Sequence, residues 1–266
     1  MKLARVLSVA GSDTGGGAGI QGDLKTITVL GGFGMTVITA LTVQNTLGIR
    51  EIYELPPDFV GRQFDAVAED IGIDALKTGM LASREIMEVV AQKIKRYGVN
   101  NVVVDPVLAA KRGELLISNE AIPFLIEGLL PLALVTTPNI PEAEVLSGIV
   151  IASPDDMKKA ATIIHGLGVK NVIIKGGHLV ESDKVARDIL YNGNDFHEFC
   201  APRIDNKDTH GTGCAYSAAI ATFLAKDKSV FEAATAAKAY ITSAIRNSQR
   251  LGRGQGPINH LAPILK

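Results

Sequence analysis

Tryptophan is absent from the 266 residues, and aromatic side chains of every kind make up only 5% of them. A core for this chain must therefore be aliphatic, built from Val, Ile, Leu and Ala. There are two cysteines, Cys200 and Cys214, too few for a disulfide framework and without the CxxC spacing of a zinc site. Neither sign of charge is in surplus: 27 Lys and Arg against 28 Asp and Glu leave −1. Without a basic excess, electrostatic binding of nucleic acid or of an anionic membrane surface is not the default. No run approaches the ~20 apolar residues that a membrane helix needs. The opening MKLARVLSVAGSD reads as a short strand running into a turn rather than as a secretion signal. The expectation is a cytoplasmic protein with reduced thiols. Internal repeats, low-complexity tracts and Pro/Ser linkers are missing too, so residues 1–266 read as one domain.

What the sequence has in plenty is apolar side chains, at 47%, and glycine, at 27 residues. Short, nearly continuous apolar runs at 6–10, 37–43, 75–78, 102–105, 132–135 and 172–175 have the character of strands buried on both faces. Between them, residues 58–70, 83–97, 119–129 and 154–167 place apolar side chains three and four apart, as amphipathic helices do. Ser153-Pro154-Asp155-Asp156 predicts a helix start, and Gly98, Gly166 and Gly168 stand where C-caps belong. Strand and helix in alternation predict an α/β fold with a parallel sheet covered on both faces. Later the rhythm changes. Residues 186–191 and 195–201, joined by Asn192-Gly193-Asn194, predict an edge hairpin, followed by Ala-rich helices at 213–225 and 230–250.

In such sheets ligands sit beyond the C-terminal ends of the strands. Residues 11–22, Gln44-Asn45, Gly79-Met80, Asp105-Pro106, Asn139 and Gly176-Gly177 all fall there, which predicts one composite site. In the first of these, Gly17, Gly19 and Gly22 fit GxGxxG, but a dinucleotide site needs an acid about 20 residues on. Residues 24–50 contain no Asp or Glu. The preferred reading is a mobile loop whose glycines let backbone approach a small ligand; the plainer one is a turn before a helix. No GxxxxGK[ST] occurs. An anion cradle is offered instead by Thr209-His210-Gly211-Thr212-Gly213-Cys214, where successive N–H groups open a helix. The same field would lower the Cys214 pKa and make it partly thiolate, a base. On spacing alone, a small buried cysteine is an equally good reading. Asp105 and Glu142 are acids at separate strand ends, suited to Mg²⁺ with nucleotide phosphates. Taken singly, each reads equally as a turn former or a first-turn helix acid. Lys175 ends an apolar strand and either neutralises an anion or reaches solvent.

Assembled in order, these segments resemble the ribokinase-like superfamily, and within it the hydroxymethylpyrimidine/phosphomethylpyrimidine kinases of thiamine biosynthesis. The matching pieces are Ala10-Gly11-Ser12-Asp13, residues 17–21, Asp23-Leu24-Lys25-Thr26, residues 37–41, Gln44-Asn45-Thr46 and Lys77-Thr78-Gly79-Met80. They continue with Asp105-Pro106-Val107, Thr137-Pro138-Asn139 with Glu142, Lys175-Gly176-Gly177-His178 and residues 210–214. The resemblance implies a three-layer α/β/α sandwich with a mostly parallel sheet, ATP as phosphoryl donor, Mg²⁺ and a homodimer. It implies two reactions: phosphorylation of the hydroxymethyl oxygen of 4-amino-5-hydroxymethyl-2-methylpyrimidine, then of the monophosphate to the diphosphate. It places Gly11, Asp23, Gln44, Met80 and Val107 at the pyrimidine. Asn139, Lys175, Thr209 and Lys238 fall at ATP, and Asp105 and Glu142 at the metal. Gly211, Thr212 and Gly213 stabilise the moving phosphoryl group, and Cys214 stands where the wider superfamily has an Asp base. The glycine loop and the segment after Val107 would close over the site, with Lys111-Arg112-Gly113 affecting the monophosphate. A primary amide at Gln44 suits a ring nitrogen beside an exocyclic amine. Related pyridoxal kinases tend to carry an apolar residue there and a lid cysteine where this chain has Ala109 and Ala110. A pyridoxal kinase is the alternative. A non-catalytic vitamin-binding protein is the distant one, disfavoured because the glycine turn and the acids are present.

Overall fold

The computed structural model describes residues 3–109, 116–179, 184–262 and 264. Among these residues nine strands form one sheet: β1 (Arg5–Ser12), β2 (Phe33–Asn45), β3 (Gly48–Glu54), β4 (Ala75–Thr78), β5 (Val102–Val104), β6 (Val135–Thr136), β7 (Val172–Lys175), β8 (Val185–Tyr191) and β9 (Phe196–Pro202). The order is β3-β2-β1-β4-β5-β6-β7-β8-β9. From β2 to β7 neighbouring strands run parallel. β3 pairs antiparallel with β2, and β8 and β9 form the antiparallel hairpin anticipated at the other edge.

The helices are α1 (Gly19–Val29), α2 (Pro57–Asp70), α3 (Arg84–Arg96), α4 (Ile122–Phe124), α5 (Ile140–Ser147), α6 (Pro154–His165), α7 (Thr212–Leu224) and α8 (Val230–Arg246). They cover both faces, and the pleat decides which residue meets which layer. Leu7, Leu76, Val104 and Ile174 pack with α2, α3, α5 and α6. Their strand neighbours Val6, Ala75, Val103 and Ile173 pack with α1, α7 and α8. Burial on both sides is why these strands read as unbroken apolar runs. Among the described residues no helix is long and apolar enough to cross a membrane.

Several boundaries differ from the sequence reading. β3 was not anticipated: it is the edge strand and its last five residues are all exposed, so burial imposes no pattern on it. The stretch 119–129 is not one α-helix. It passes through a 3₁₀ turn, α4 and a π-helical turn at Leu125–Leu129. Pro123 cannot donate to the ladder, and Gly128 has no Cβ because the Phe124 ring occupies its place. The strand expected at 132–135 begins only at Val135, because a 3₁₀ turn containing Pro131 fills Leu130–Leu132. α8 stops at Arg246 rather than 250, where the Asn247 side chain caps the Ser243 carbonyl. Ser153 caps α6 as anticipated, accepting from the Asp156 N–H. Gly98 and Gly168 are left-handed, but Gly166 is right-handed.

Beyond α8 the chain crosses back as a strap. The Gly254 and Gln255 N–H groups bond to Thr46, Gly256 N–H to Asp208, and His210 N–H to Gly256 O. The turn joining β2 to β3 is thereby tied to the segment that enters α7.

Candidate active site

A cleft of about 1290 Å³ opens at the C-terminal ends of the parallel strands. Fourteen of the fifteen anticipated site residues line it, Asp23 being the exception. At one end Gly11, Met80 and Val107 form a wall beside Gln44. A Cβ on Gly11 would stand 2.5 Å from Met80 Cε, so glycine there lets the methionine pack across the strand end. The Gln44 Oε1 accepts from Thr42 Oγ1 at 3.2 Å, and its Nε2 lies 3.5 Å from His210 Nε2.

The glycine loop is anchored rather than free. The Asp13 carboxylate accepts from the N–H groups of Gly15, Gly17 and Ala18 at 2.8, 3.0 and 2.8 Å, and meets His210 Nε2 at 2.9 Å. Burial opposes its charge, but His210 and the Ala18 N–H hold the Asp13 carboxyl below its ordinary range. The close approach that glycine permits is to another backbone segment. Gly211 is left-handed with φ +84, and a Cβ on it would overlap Gly17 O. The Asp13–His210 pair was not anticipated as a unit; 197 residues separate its members, and only the sheet topology brings them together.

Gly211 caps α7, so Gly211, Thr212, Gly213 and Cys214 present the helix N-terminus to the cleft; the Thr212 hydroxyl donates to Thr209 O at 2.7 Å. Cys214 is half-buried, and the Gly19 N–H at the start of α1 donates to its sulfur. The expected lowering of its pKa is not found. Burial pushes the thiol up to about 11; Lys77 pulls it down, and Asp23 and Asp105 push it further up. The helix field is outweighed by desolvation and two nearby acids.

Asp23 is also corrected. It lies beneath the cleft, wholly buried, with Oδ2 accepting from Lys77 Nζ at 2.8 Å and from Ser8 Oγ at 2.5 Å. No direct contact with a ligand in the cleft follows from that position. Burial raises its pKa against the pull of Lys77. Lys77 was a motif residue without a role in the sequence reading, because an apolar strand gave no hint of the acid beneath it.

At the far end Lys175 Nζ lies 3.0 Å from Asp105 Oδ1, which also accepts from Thr137 Oγ1 at 3.1 Å. Burial opposes the Asp105 charge, but Lys175 and Lys77 keep its pKa low. Glu142 and Asn139 form a reciprocal capping box on α5, at 2.8 and 2.9 Å. Glu142 is thus both a first-turn helix acid and a cleft residue. Burial pushes its pKa up to about 7; Lys175 opposes that, and Asp105 adds to it. Lys238 lines the cleft but is paired with Asp188 at 2.7 Å, whose other oxygen accepts from Gly176 N–H at 3.1 Å. Asp188 was missed because it sits within the hairpin strand β8. Lys111-Arg112-Gly113 and Ala110 lie outside the described residues. Among the described residues no cluster of three or more His, Cys, Asp or Glu could hold a metal.

The sequence model of a family described as "Phosphomethylpyrimidine kinase" matches residues 13–259. The chain is 46% identical to the hydroxymethylpyrimidine/phosphomethylpyrimidine kinase of Bacillus subtilis, covering 98% of this chain and 96% of that one. It is 54% identical, over 96% of its length, to the thiamine biosynthesis bifunctional protein ThiED of Geobacter sulfurreducens, of which it spans about half, 52%. Among solved structures, the ADP complex of Bacillus subtilis pyridoxal kinase superposes with TM-score 0.92 at 40% identity, covering 100% of both chains.

Proposed function

The chain belongs to the phosphomethylpyrimidine kinase family, and from that we propose that it carries out two successive ATP-dependent phosphorylations. The first acts on the hydroxymethyl oxygen of 4-amino-5-hydroxymethyl-2-methylpyrimidine, the second on the monophosphate so formed. The observation that carries the reading is the layout of the cleft. An amide and an apolar wall stand at one end, a helix N-terminus with Cys214 lies between, and Lys175 with two acids stands at the other.

The ring would rest against Met80 and Val107 near the backbone of Gly11, with Gln44 pairing to the aminopyrimidine edge. ATP would lie across Thr209, Asn139 and Lys175, with Lys238 as a fixed wall cation beside Asp188. The N–H groups of residues 211–214 and the Lys175 ammonium offset charge on the phosphoryl group in flight, which is catalysis by positioning and electrostatics. Mg²⁺ fits the donor set: the Asp105 and Glu142 carboxylates face the same end of the cleft, and each makes ionisation of the other costlier, a repulsion that a bound cation would relieve. Asp105 and Glu142 would hold it largely through water, and it would supply charge neutralisation between the phosphates.

In the first step Cys214 takes the proton of the hydroxymethyl group. With its pKa near 11, little thiolate exists at neutral pH, so this rate should climb with pH. In the second step the acceptor is a phosphate oxygen, largely ionised above its second pKa of about 6, and needs little base. Cys214→Ser should therefore slow the first step about 10²-fold and the second far less. Equal losses would remove Cys214 from the role.

The proposal extends to a cytoplasmic, single-domain homodimer. One sheet carrying all nine strands supports the single domain. Leu41, Val43 and Tyr53, exposed together on one face of the β2–β3 ribbon, support self-association, testable by sedimentation of Val43→Asp. The deciding experiment incubates the protein with Mg-ATP and either the hydroxymethylpyrimidine or pyridoxal, and counts phosphates on each product by mass. A pyrimidine diphosphate supports the proposal. Pyridoxal phosphate with little pyrimidine product would reassign the ring specificity read from Gln44.

A further inference from the structure

The Lys77–Asp23 pair is fully buried, with both side chains at 0% exposure, and it touches no part of the cleft surface. Burying two charges is costly, and an apolar pair of similar volume commonly packs as well or better. As a structural clamp this one is also poorly finished. Among the described residues Asp23 Oδ1 has no hydrogen-bond partner, although it is fully enclosed. The ammonium is aimed up the strand toward the cleft. A Cβ on Gly79, two residues on, would come within 2.9 Å of Lys77 Nζ. α7 packs against β4 and α1, and both members of the pair act electrostatically on Cys214 in its first turn.

The charged groups around Cys214 come from four elements: Lys77 from β4, Asp23 from α1, Asp105 after β5, and Lys175 from the end of β7. Lys175 is committed to Asp105 at the nucleotide end. Lys77 pulls the thiol toward its charged form, and Asp23 opposes it. We propose that Lys77 is a positioning residue for the first phosphoryl transfer: its ammonium, fixed by Asp23 beneath the cleft, holds the Cys214 thiolate that receives the hydroxymethyl proton. This rests on the reading of Cys214 given above. In that step the hydroxymethyl oxygen bonds to the γ-phosphorus. The bond from that phosphorus to the β–γ bridging oxygen breaks, its electrons leaving with ADP. The hydroxyl proton passes to the Cys214 sulfur, and the thiol later returns it to solvent. Lys77 keeps its own proton throughout, because the acids around it raise its pKa against burial.

The test is the ratio of the two phosphorylation rates. Lys77→Met with Asp23→Asn removes both charges and strands neither. The first-step kcat should fall at least 10-fold, while the second stays within about threefold and both KM values hold. Adding the double change to Cys214→Ser should cost little beyond the loss from Cys214→Ser alone, because the cation acts through the sulfur. Equal losses in both steps, or losses that multiply with Cys214→Ser, would reduce the pair to a structural role. If Cys214→Ser alone slows both steps equally, the base assignment fails and the proposal fails with it. If Cys214→Ser is selective and the double variant is not, only Lys77 is wrongly assigned. Asp23→Asn alone provides a check that does not depend on the folding of the double variant. It leaves the cation unopposed, so iodoacetamide should label Cys214, followed by mass of its peptide, at lower pH than in the parent. A shift to higher pH would overturn the proposal.

Discussion

His260 Nε2 lies beside Gly22 of α1 and has no partner among the described residues, and burial, with Lys25 and His210 adding to it, pulls its pKa from 6.5 to about 4. The folded protein therefore refuses a proton that the unfolded chain accepts between these values. Stability from this group is complete above pH 6.5 and is lost toward pH 4, on the order of 3 kcal/mol in all. Glu142 acts in the reverse sense. Its pKa rises from 4.5 to about 7, so the folded form keeps a proton that the unfolded chain has released, and stability falls as pH climbs through that window. In Mg²⁺-free thermal melts, Glu142→Gln should make the melting temperature rise more steeply between pH 4.5 and 7. His260→Gln should expose a decline over the same range. Unchanged slopes in both variants would mean that neither residue carries its shift. At this scale the sequence was informative where a side chain's neighbours follow from its motif, as with Asn139 and Glu142. It was silent where they arrive from afar, and the charge state of Cys214 depended on Lys77, Asp23 and Asp105 from three other elements.

Glycines that look alike in the sequence carry different demands in their elements. Gly98 is left-handed at φ +60 after α3, with none of the described residues near the place a Cβ would take. Gly98→Ala should cost about 1 kcal/mol, the price of the backbone conformation alone. Gly211 has the same handedness but would drive a Cβ into Gly17 O. Gly211→Ala should cost roughly 2–5 kcal/mol, strain and overpacking together, and should weaken ATP binding at the turn. Denaturant melts and nucleotide titration of the two variants decide this, and similar losses would count against the packing argument. At α8 the reciprocal Ser229–Glu232 cap predicts a loss of about 1 kcal/mol for Ser229→Ala, read in the same melts. Elements buried on both faces or strongly amphipathic were legible to within a few residues, α2, α3 and α6 among them. β3 was not, because exposure removes the pattern, and the 119–132 stretch was not, because its prolines interrupt a helical period without abolishing it.

For the whole molecule, alternation of buried strands and amphipathic helices was enough to read the layered architecture, since each sheet face needs its own cover. The strap after α8 was invisible to that reasoning: residues 252–260 have no period, and their order comes from distant partners. A Cβ on Gly254 would overlap Thr46 O, at the turn that follows Gln44. Gly254→Ala should displace that turn and raise the KM for the acceptor about 10-fold, or ~1.4 kcal/mol, with less effect on the KM for ATP. Steady-state kinetics with each substrate varied will show whether the effect is one-sided. The meeting of Gly17 with Gly211 has a thermodynamic consequence for the molecule entire. The glycine loop and the turn that opens α7 meet backbone to backbone there, with the His210 ring bonded to Asp13 beside them, so a displacement of one is passed to the other. If acceptor and ATP bind as proposed, occupancy of one subsite should alter the affinity of the second, and linkage requires the two factors to be equal. Calorimetric titration of each ligand in the absence and presence of the other should return the same ratio from both directions, greater than one.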